Sequence, residues 1–300
     1  MKRIFIGGLG RSGTTIALNA LYRHEAVYAV PIETKFLVEE DGFADLIAAM
    51  TDRFSVAGAA AARQRFEHLM RRQVPGLDDS KFRQQHTLST CVFQDYDAAL
   101  DGFISLIQRR RYFPHREPLL AATRRFVADT FDGETIRSDK AVWAEKTPSN
   151  IWRIPFLREL WPDCIFVHAL RDPRAILLSL RRLGWLPPTM LHAVTIFQGD
   201  VAALLEVRRR YRGDPRFIEM RLEEVVADTQ GTLGRLAAAL GIAQFDAEAA
   251  AAVTASMARY YASRVPAENQ LSPDDRDLMV EVLRPAVIEL GYPSDWEGSH

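Results

Sequence analysis

A chain of 300 residues with 48% apolar and 26% charged side chains can bury a full core, which excludes intrinsic disorder and collagen-like or fibrous order. Thirty-eight basic against 39 acidic residues leave a formal charge of −1, so no global field draws the protein to nucleic acid or anionic lipid. Any anion site has to be local, and with only five lysines (2, 35, 81, 140, 146) among the basic residues, a lysine in a key place is informative.

Cys91 and Cys164 lie far apart without CxxC or Cys/His spacing, which points away from a disulfide framework or zinc site and fits a reducing cytosol. The apolar stretch Ile4 to Ile6 is too short for a signal-peptide core or a membrane span. The expectation is a cytoplasmic protein with no membrane span.

In chain order, Lys2 to Gly8 reads as a short buried strand, followed by a glycine loop and a helix from about Gly13 to Arg23 with Leu18, Leu21 and Tyr22 as apolar positions. Ala26 to Pro31 is a second apolar run. The period then changes: Phe36 to Met50, Ala57 to Gln73, Asp97 to Arg111 and Glu117 to Phe131 read as helices, with a loop around Val74 to Tyr96. Strands return at Ala141 to Glu145, Cys164 to Leu170 and Phe217 to Met220, and further helices follow at Thr229 to Leu240, Ala247 to Tyr261 and Pro273 to Leu290. The strands on either side of the middle block are each too few for a sheet. The chain therefore reads as one α/β domain over residues 1–300, a parallel sheet flanked by helices, with a helical insertion at roughly 36–140 forming a substrate cap.

Four segments carry chemistry. Gly8-Leu9-Gly10-Arg11-Ser12-Gly13-Thr14-Thr15 has the spacing of a phosphate-cradling loop between a strand and a helix, where backbone N–H groups and the helix N-terminus attract an anion. Thr14 stands where a nucleotide triphosphatase carries its lysine, so the expected anion is not an ordinary triphosphate. Arg171-Asp172-Pro173-Arg174 closes a strand: Asp172 and Pro173 suit a helix start, whereas Arg171 falls at the carboxyl end of a parallel strand, where such sheets place ligands. Ser179, eight positions on, can share its side. Lys146, in Glu145-Lys146-Thr147-Pro148, and Glu33, in Pro31-Ile32-Glu33-Thr34-Lys35, come to the same sheet edge. Each is also compatible with a solvated surface residue. His168, inside a strand, reads as a satisfied core residue, and Arg109-Arg110-Arg111 as a solvated helix end rather than a nucleic-acid patch.

Taken in this order, the four segments resemble the sulfotransferases that use 3′-phosphoadenosine 5′-phosphosulfate (PAPS), nearer to the tyrosylprotein and related bacterial enzymes than to the cytosolic aryl type. The resemblance implies a P-loop NTPase-like fold. It implies that Gly10, Arg11, Ser12, Gly13, Thr14 and Thr15 hold the 5′-phosphosulfate, and that Arg171 and Ser179 hold the 3′-phosphate. Glu33 would be the catalytic base, with Lys146 and Arg11 contacting the transferring sulfuryl group. Arg221 opens Arg221-Leu222-Glu223-Glu224-Val225, matching a nucleotide-binding segment that often carries an aromatic residue where Leu222 stands. The implied reaction moves the sulfuryl group in line from PAPS to a small-molecule, sugar or peptide hydroxyl, releases 3′-phosphoadenosine 5′-phosphate (PAP) and needs no metal. Two alternatives share the loop: a P-loop kinase of small molecules using ATP, and a non-catalytic nucleotide-binding scaffold.

Overall fold

Ile4, Phe5 and Ile6 are fully buried, as a strand covered on both faces requires, and they form the centre of β1 (Lys2–Gly7). The computed structural model describes residues 1–52, 55–71, 92–110, 112–262 and 271–295. The other strands are β2 (Val27–Ala29), β3 (Val142–Lys146), β4 (Ile165–Leu170) and β5 (Phe217–Arg221). They form one parallel sheet flanked by helices, in the order β2-β3-β1-β4-β5. The chain leaves β1 toward β2 and leaves β4 toward β5, in opposite directions across the sheet. The boundary between β1 and β4 is thus the topological switch point, where open α/β sheets bind ligands beyond the carboxyl ends of their strands.

The chain gathers into two compact units, Met1–Phe5 with Glu25–Ile165, and Ile6–His24 with Phe166–His300. In the first, α2 (Phe43–Met50), α3 (Val56–Arg71), α4 (Tyr96–Arg109) and α5 (Glu117–Val127) pack around a ring cluster. Phe43 lies 4.9 Å from Phe66 and 4.8 Å from Phe103 between ring centroids, with both pairs near edge-to-face, the arrangement that aromatic quadrupoles favour. After α5 a widened turn over Ala128–Asp132 leads into α6 (Gly133–Arg137). It presents Asp132 to Trp143 Nε1 at 2.7 Å and to Arg3 at 2.8 Å. Beyond β3, a 3₁₀ turn (Pro148–Trp152) and α7 (Ile154–Leu160) complete this unit.

The second unit holds α1 (Thr14–Tyr22), α8 (Pro173–Arg182), α9 (Met190–Tyr211), the short α10 (Leu222–Ala227), α11 (Thr229–Leu240), α12 (Ala247–Ala262) and α13 (Pro273–Glu289). Helix α9 packs along α13. Among the described residues, α9 alone is long and apolar enough to cross a membrane by length and composition, and Phe197, Val201 and Leu204 are buried inside the fold.

The observed elements follow the sequence expectations closely, with three corrections. Phe36 to Met50 is not one helix: residues 36–42 are turn, and only α2 is helical. Lys35 (φ 48°) and Asp41 (φ 61°) adopt left-handed backbone, and a Cβ at Gly42 would come within 2.2 Å of the Phe36 carbonyl oxygen, so the chain folds back on itself where only glycine fits. Tyr22 is an exposed end residue, because α1 stops there and Arg23 caps it. His168 is fully buried, but neither ring nitrogen has a hydrogen-bond partner. The parallel register sets it beside Glu219, whose carboxylate is engaged by Arg208 at 2.5 and 2.9 Å and lies 3.5 Å from His168 Nδ1. Burial pushes the Glu219 carboxyl up, but His168 and Arg208 outweigh it and bring the group down to about 2.

The loop expected around Val74 to Tyr96 lies largely outside the described residues, as do Cys91, Arg111 and Gln73; Cys164 is a buried free thiol.

Candidate active site

Each compact unit carries one cluster of the expected residues. In the second unit, β1 ends in the glycine loop. A Cβ at Gly8 would meet the Ala169 carbonyl oxygen at 2.5 Å and Ser12 Oγ at 2.8 Å, so glycine lets the loop lie directly against β4. Arg11 (φ 72°) and Gly13 (φ 102°) turn the chain through left-handed conformations. Gly13 then starts α1 with no side-chain cap. Ser12 is buried, and its hydroxyl has no hydrogen-bond partner. A helix start without a cap and a buried unpartnered hydroxyl are what an incoming anion would satisfy.

Two residues from beyond β4 meet this loop. Arg11 Nε donates to Ser179 Oγ at 3.2 Å, and Arg171 Nη1 donates to the main-chain oxygen of Arg11 at 3.3 Å. Arg171 is held just beyond β4 because Asp172 caps α8, accepting the Arg174 amide at 2.8 Å, with Pro173 at the first helical position. Arg174, almost fully buried, pairs with Asp172 at 2.8 Å and donates to the main-chain oxygens of Pro293 at 2.7 Å and Ser294 at 3.1 Å. Arg221 is engaged elsewhere in the same unit. It donates to the Leu290 carbonyl, and its guanidinium lies 4.8 Å from the Tyr292 ring centroid. Tyr292 in turn donates to Glu223 Oε2 at 3.0 Å, and burial together with that carboxylate pushes its hydroxyl pKa up.

In the first unit, Lys146 is the last residue of β3 and is 7% exposed, so it is not a solvated surface lysine. Its Nζ donates to Glu33 Oε1, while Lys35 Nζ lies 3.8 Å from the other oxygen. Glu145, the preceding residue of β3, is wholly buried. Its carboxylate accepts from the Thr34 amide at 3.2 Å, Thr147 Oγ1 at 2.6 Å and Asn150 Nδ2 at 2.7 Å. Thr147 Oγ1 also accepts the Lys35 amide at 3.3 Å. Burial pushes the Glu145 carboxyl above its ordinary value, opposed by these hydrogen bonds. The segment carrying Glu33 is thereby fixed to the strand end carrying Lys146. Motif reading passed over Glu145, although an acidic residue in an otherwise apolar buried strand was a visible signal. Among the described residues no group of three or more His, Cys, Asp or Glu is arranged to hold a metal ion.

Known proteins share sequence and fold with this chain. Over 112 residues the chain is 30% identical to the omega-hydroxy-beta-dihydromenaquinone-9 sulfotransferase Stf3 of Mycobacterium bovis and, equally, of Mycobacterium tuberculosis. That match takes in 34% of this chain and spans 29% of the length of these curated relatives. Among solved structures, sulfotransferase STF9 from Mycobacterium avium superposes with a TM-score of 0.50 at 19% identity, covering 99% of this chain and 78% of that one. At that identity the likeness speaks for the fold, which is P-loop NTPase-like. The sulfotransferase family model matches residues 3–247, running from β1 past α11 and including every residue expected from the sequence to line the site. With the match extending over that much of the sequence, this chain belongs to the sulfotransferase family.

Proposed function

We propose that the protein transfers a sulfuryl group from PAPS to an acceptor hydroxyl and releases PAP. The observation that carries this reading is the convergence of Arg11, Ser179 and Arg171 on a glycine loop with a buried, unpartnered Ser12 hydroxyl and an uncapped helix start. Arg171 and Ser179 bind the 3′-phosphate, for which a planar guanidinium offers two-point recognition. The amides and hydroxyls of Ser12, Gly13, Thr14 and Thr15, with the backbone at Gly10, bind the 5′-phosphosulfate. A donor ending in one phosphate and one sulfate suits a loop that has Thr14 where triphosphate enzymes carry lysine. Arg221 would have to exchange its present partners, Leu290 and Tyr292, to reach the nucleotide.

In the reaction, the acceptor oxygen attacks sulfur in line as its proton passes to Glu33. The new O–S bond forms, and the bond from sulfur to the 5′-phosphate oxygen breaks, so the electron pair leaves with PAP. Arg11 and Lys146 offset the charge that grows on the sulfuryl group and the departing phosphate, the kind of fixed electrostatic support that dominates loose group-transfer reactions.

A thermal-shift comparison of PAP, adenosine 5′-phosphosulfate, ATP with Mg²⁺ and buffer tests the donor class, followed by transfer of label from radioactive PAPS. A ligand at about 100 times its Kd adds about 2.7 kcal/mol of stability. PAP is expected to raise Tm more than ATP with Mg²⁺ does. The reverse order would turn the reading toward a small-molecule kinase, and PAP binding with no transfer to any hydroxyl would turn it toward a nucleotide-binding scaffold.

A further inference from the structure

The connection between α8 and α9 holds a tryptophan in a fixed place. Gly184 adopts left-handed backbone (φ 70°). Its amide donates to the Arg181 carbonyl at 2.9 Å, and the Trp185 amide donates to the Leu180 carbonyl at 3.1 Å. This pair of bonds is the Schellman closure, which turns the chain sharply and leaves the two carbonyls satisfied. Arg181 Nη2 then donates to the Pro188 carbonyl at 2.6 Å, tying the far end of the connection back to α8. The backbone around Trp185 is therefore pinned on both sides.

The indole itself is 65% exposed. A single exposed apolar side chain is ordinary, but this one sits on backbone braced on both sides. The indole edge has a defined neighbour. A Cβ at Gly10 would touch Trp185 Cζ3 and Leu180 Cδ2, each at 3.9 Å. Gly10 brings no side chain of its own to this side of the ring.

Resting on the sulfotransferase reading above, we propose that Trp185 is the aromatic wall against which the acceptor lies, and that the acceptor carries a flat apolar body close to its hydroxyl. Trp185 brings no charge, so it is unsuited to the phosphates of the donor. Gly10 directly precedes Arg11, the cation assigned to the sulfuryl end, and Arg11 in turn donates to Ser179, so the ring lies beside the stretch of loop that the donor is proposed to occupy. An indole face gains most from a flat apolar partner and little from a fully hydroxylated one such as a free sugar.

Calorimetry on the PAP-saturated full-length chain tests this, with 2-naphthol and glucose as probes and the wild type compared with Trp185→Ala and Trp185→Phe. We expect 2-naphthol to bind at least 10 times more tightly than glucose. Trp185→Ala should weaken 2-naphthol by about 10-fold and Trp185→Phe by less, with PAP affinity and Tm unchanged in both. The proposal is overturned if 2-naphthol does not bind the PAP-loaded wild type, if it binds no better than glucose, or if Trp185→Ala leaves its affinity intact. A loss of PAP affinity in Trp185→Ala also overturns it, by assigning the ring to the adenine of the donor. Failure of the underlying reading looks different, because the wild type would then not bind PAP at all.

Discussion

The carboxylate of Glu145 accepts the main-chain amide of Thr34 at 3.2 Å, from a residue 111 positions away in sequence. That bond, with the Lys35 amide donating to Thr147 Oγ1 and Lys146 donating to Glu33, holds the loop of Glu33 against the strand end of Lys146. Replacing Glu145 by alanine leaves buried donors without an acceptor, at a cost of about 1–3 kcal/mol for each group that finds no other partner. Glu145→Gln keeps the shape and one acceptor oxygen. Turnover is expected to fall in the order wild type, Gln, Ala, with PAP affinity unchanged. Equal turnover in all three proteins would show that the network does not position the pair.

The same residue gives a pH signature. Its folded-state pKa is raised, so the protonated form is favoured by folding. The associated stability is full below the unfolded carboxylate value and is lost as pH rises through the folded one. Wild-type Tm should therefore decline relative to Glu145→Gln as pH increases from about 4. Parallel Tm profiles for the two proteins would contradict this.

Glu33→Gln removes the proton acceptor while leaving an oxygen for Lys146. Turnover with PAPS should drop by about 10²- to 10⁴-fold, the usual share of general-base catalysis, with PAP binding retained. Lys146→Ala should also lower turnover more than it lowers donor affinity. If Glu33→Gln turned over normally in steady-state assays, the base would have to be sought elsewhere.

Arg171→Ala should weaken PAP on the order of 10- to 100-fold, as loss of a charge-assisted contact does. Adenosine 5′-phosphosulfate, which lacks the 3′-phosphate, should bind nearly as before. Calorimetric titration of the two ligands separates the effects, and equal weakening of both would remove Arg171 from the 3′-phosphate.

What could be read from the sequence was local. The strand, glycine loop and helix at the start of the chain follow from an apolar run, glycine spacing and helix period within about 20 residues. The Asp172 cap spans two residues, and α11 was read with the bounds it adopts. The break after Phe36 was not legible, because it depends on Gly42 packing against a backbone carbonyl, and periodicity carries no record of such contact. His168 is the core residue expected, but only strand register shows that the carboxylate beside it, Glu219, is also engaged by Arg208.

The sequence by itself therefore determined the elements, their order and the residue types that handle anions. The tertiary structure alone decided which of them meet. Arg11 and Ser179 are 168 residues apart, and Lys146 and Glu33 are 113 apart, so their pairing is set by the order in which strands enter the sheet. Only folding could show that Lys146 is buried in an ion pair, since burial depends on what the rest of the chain packs around it.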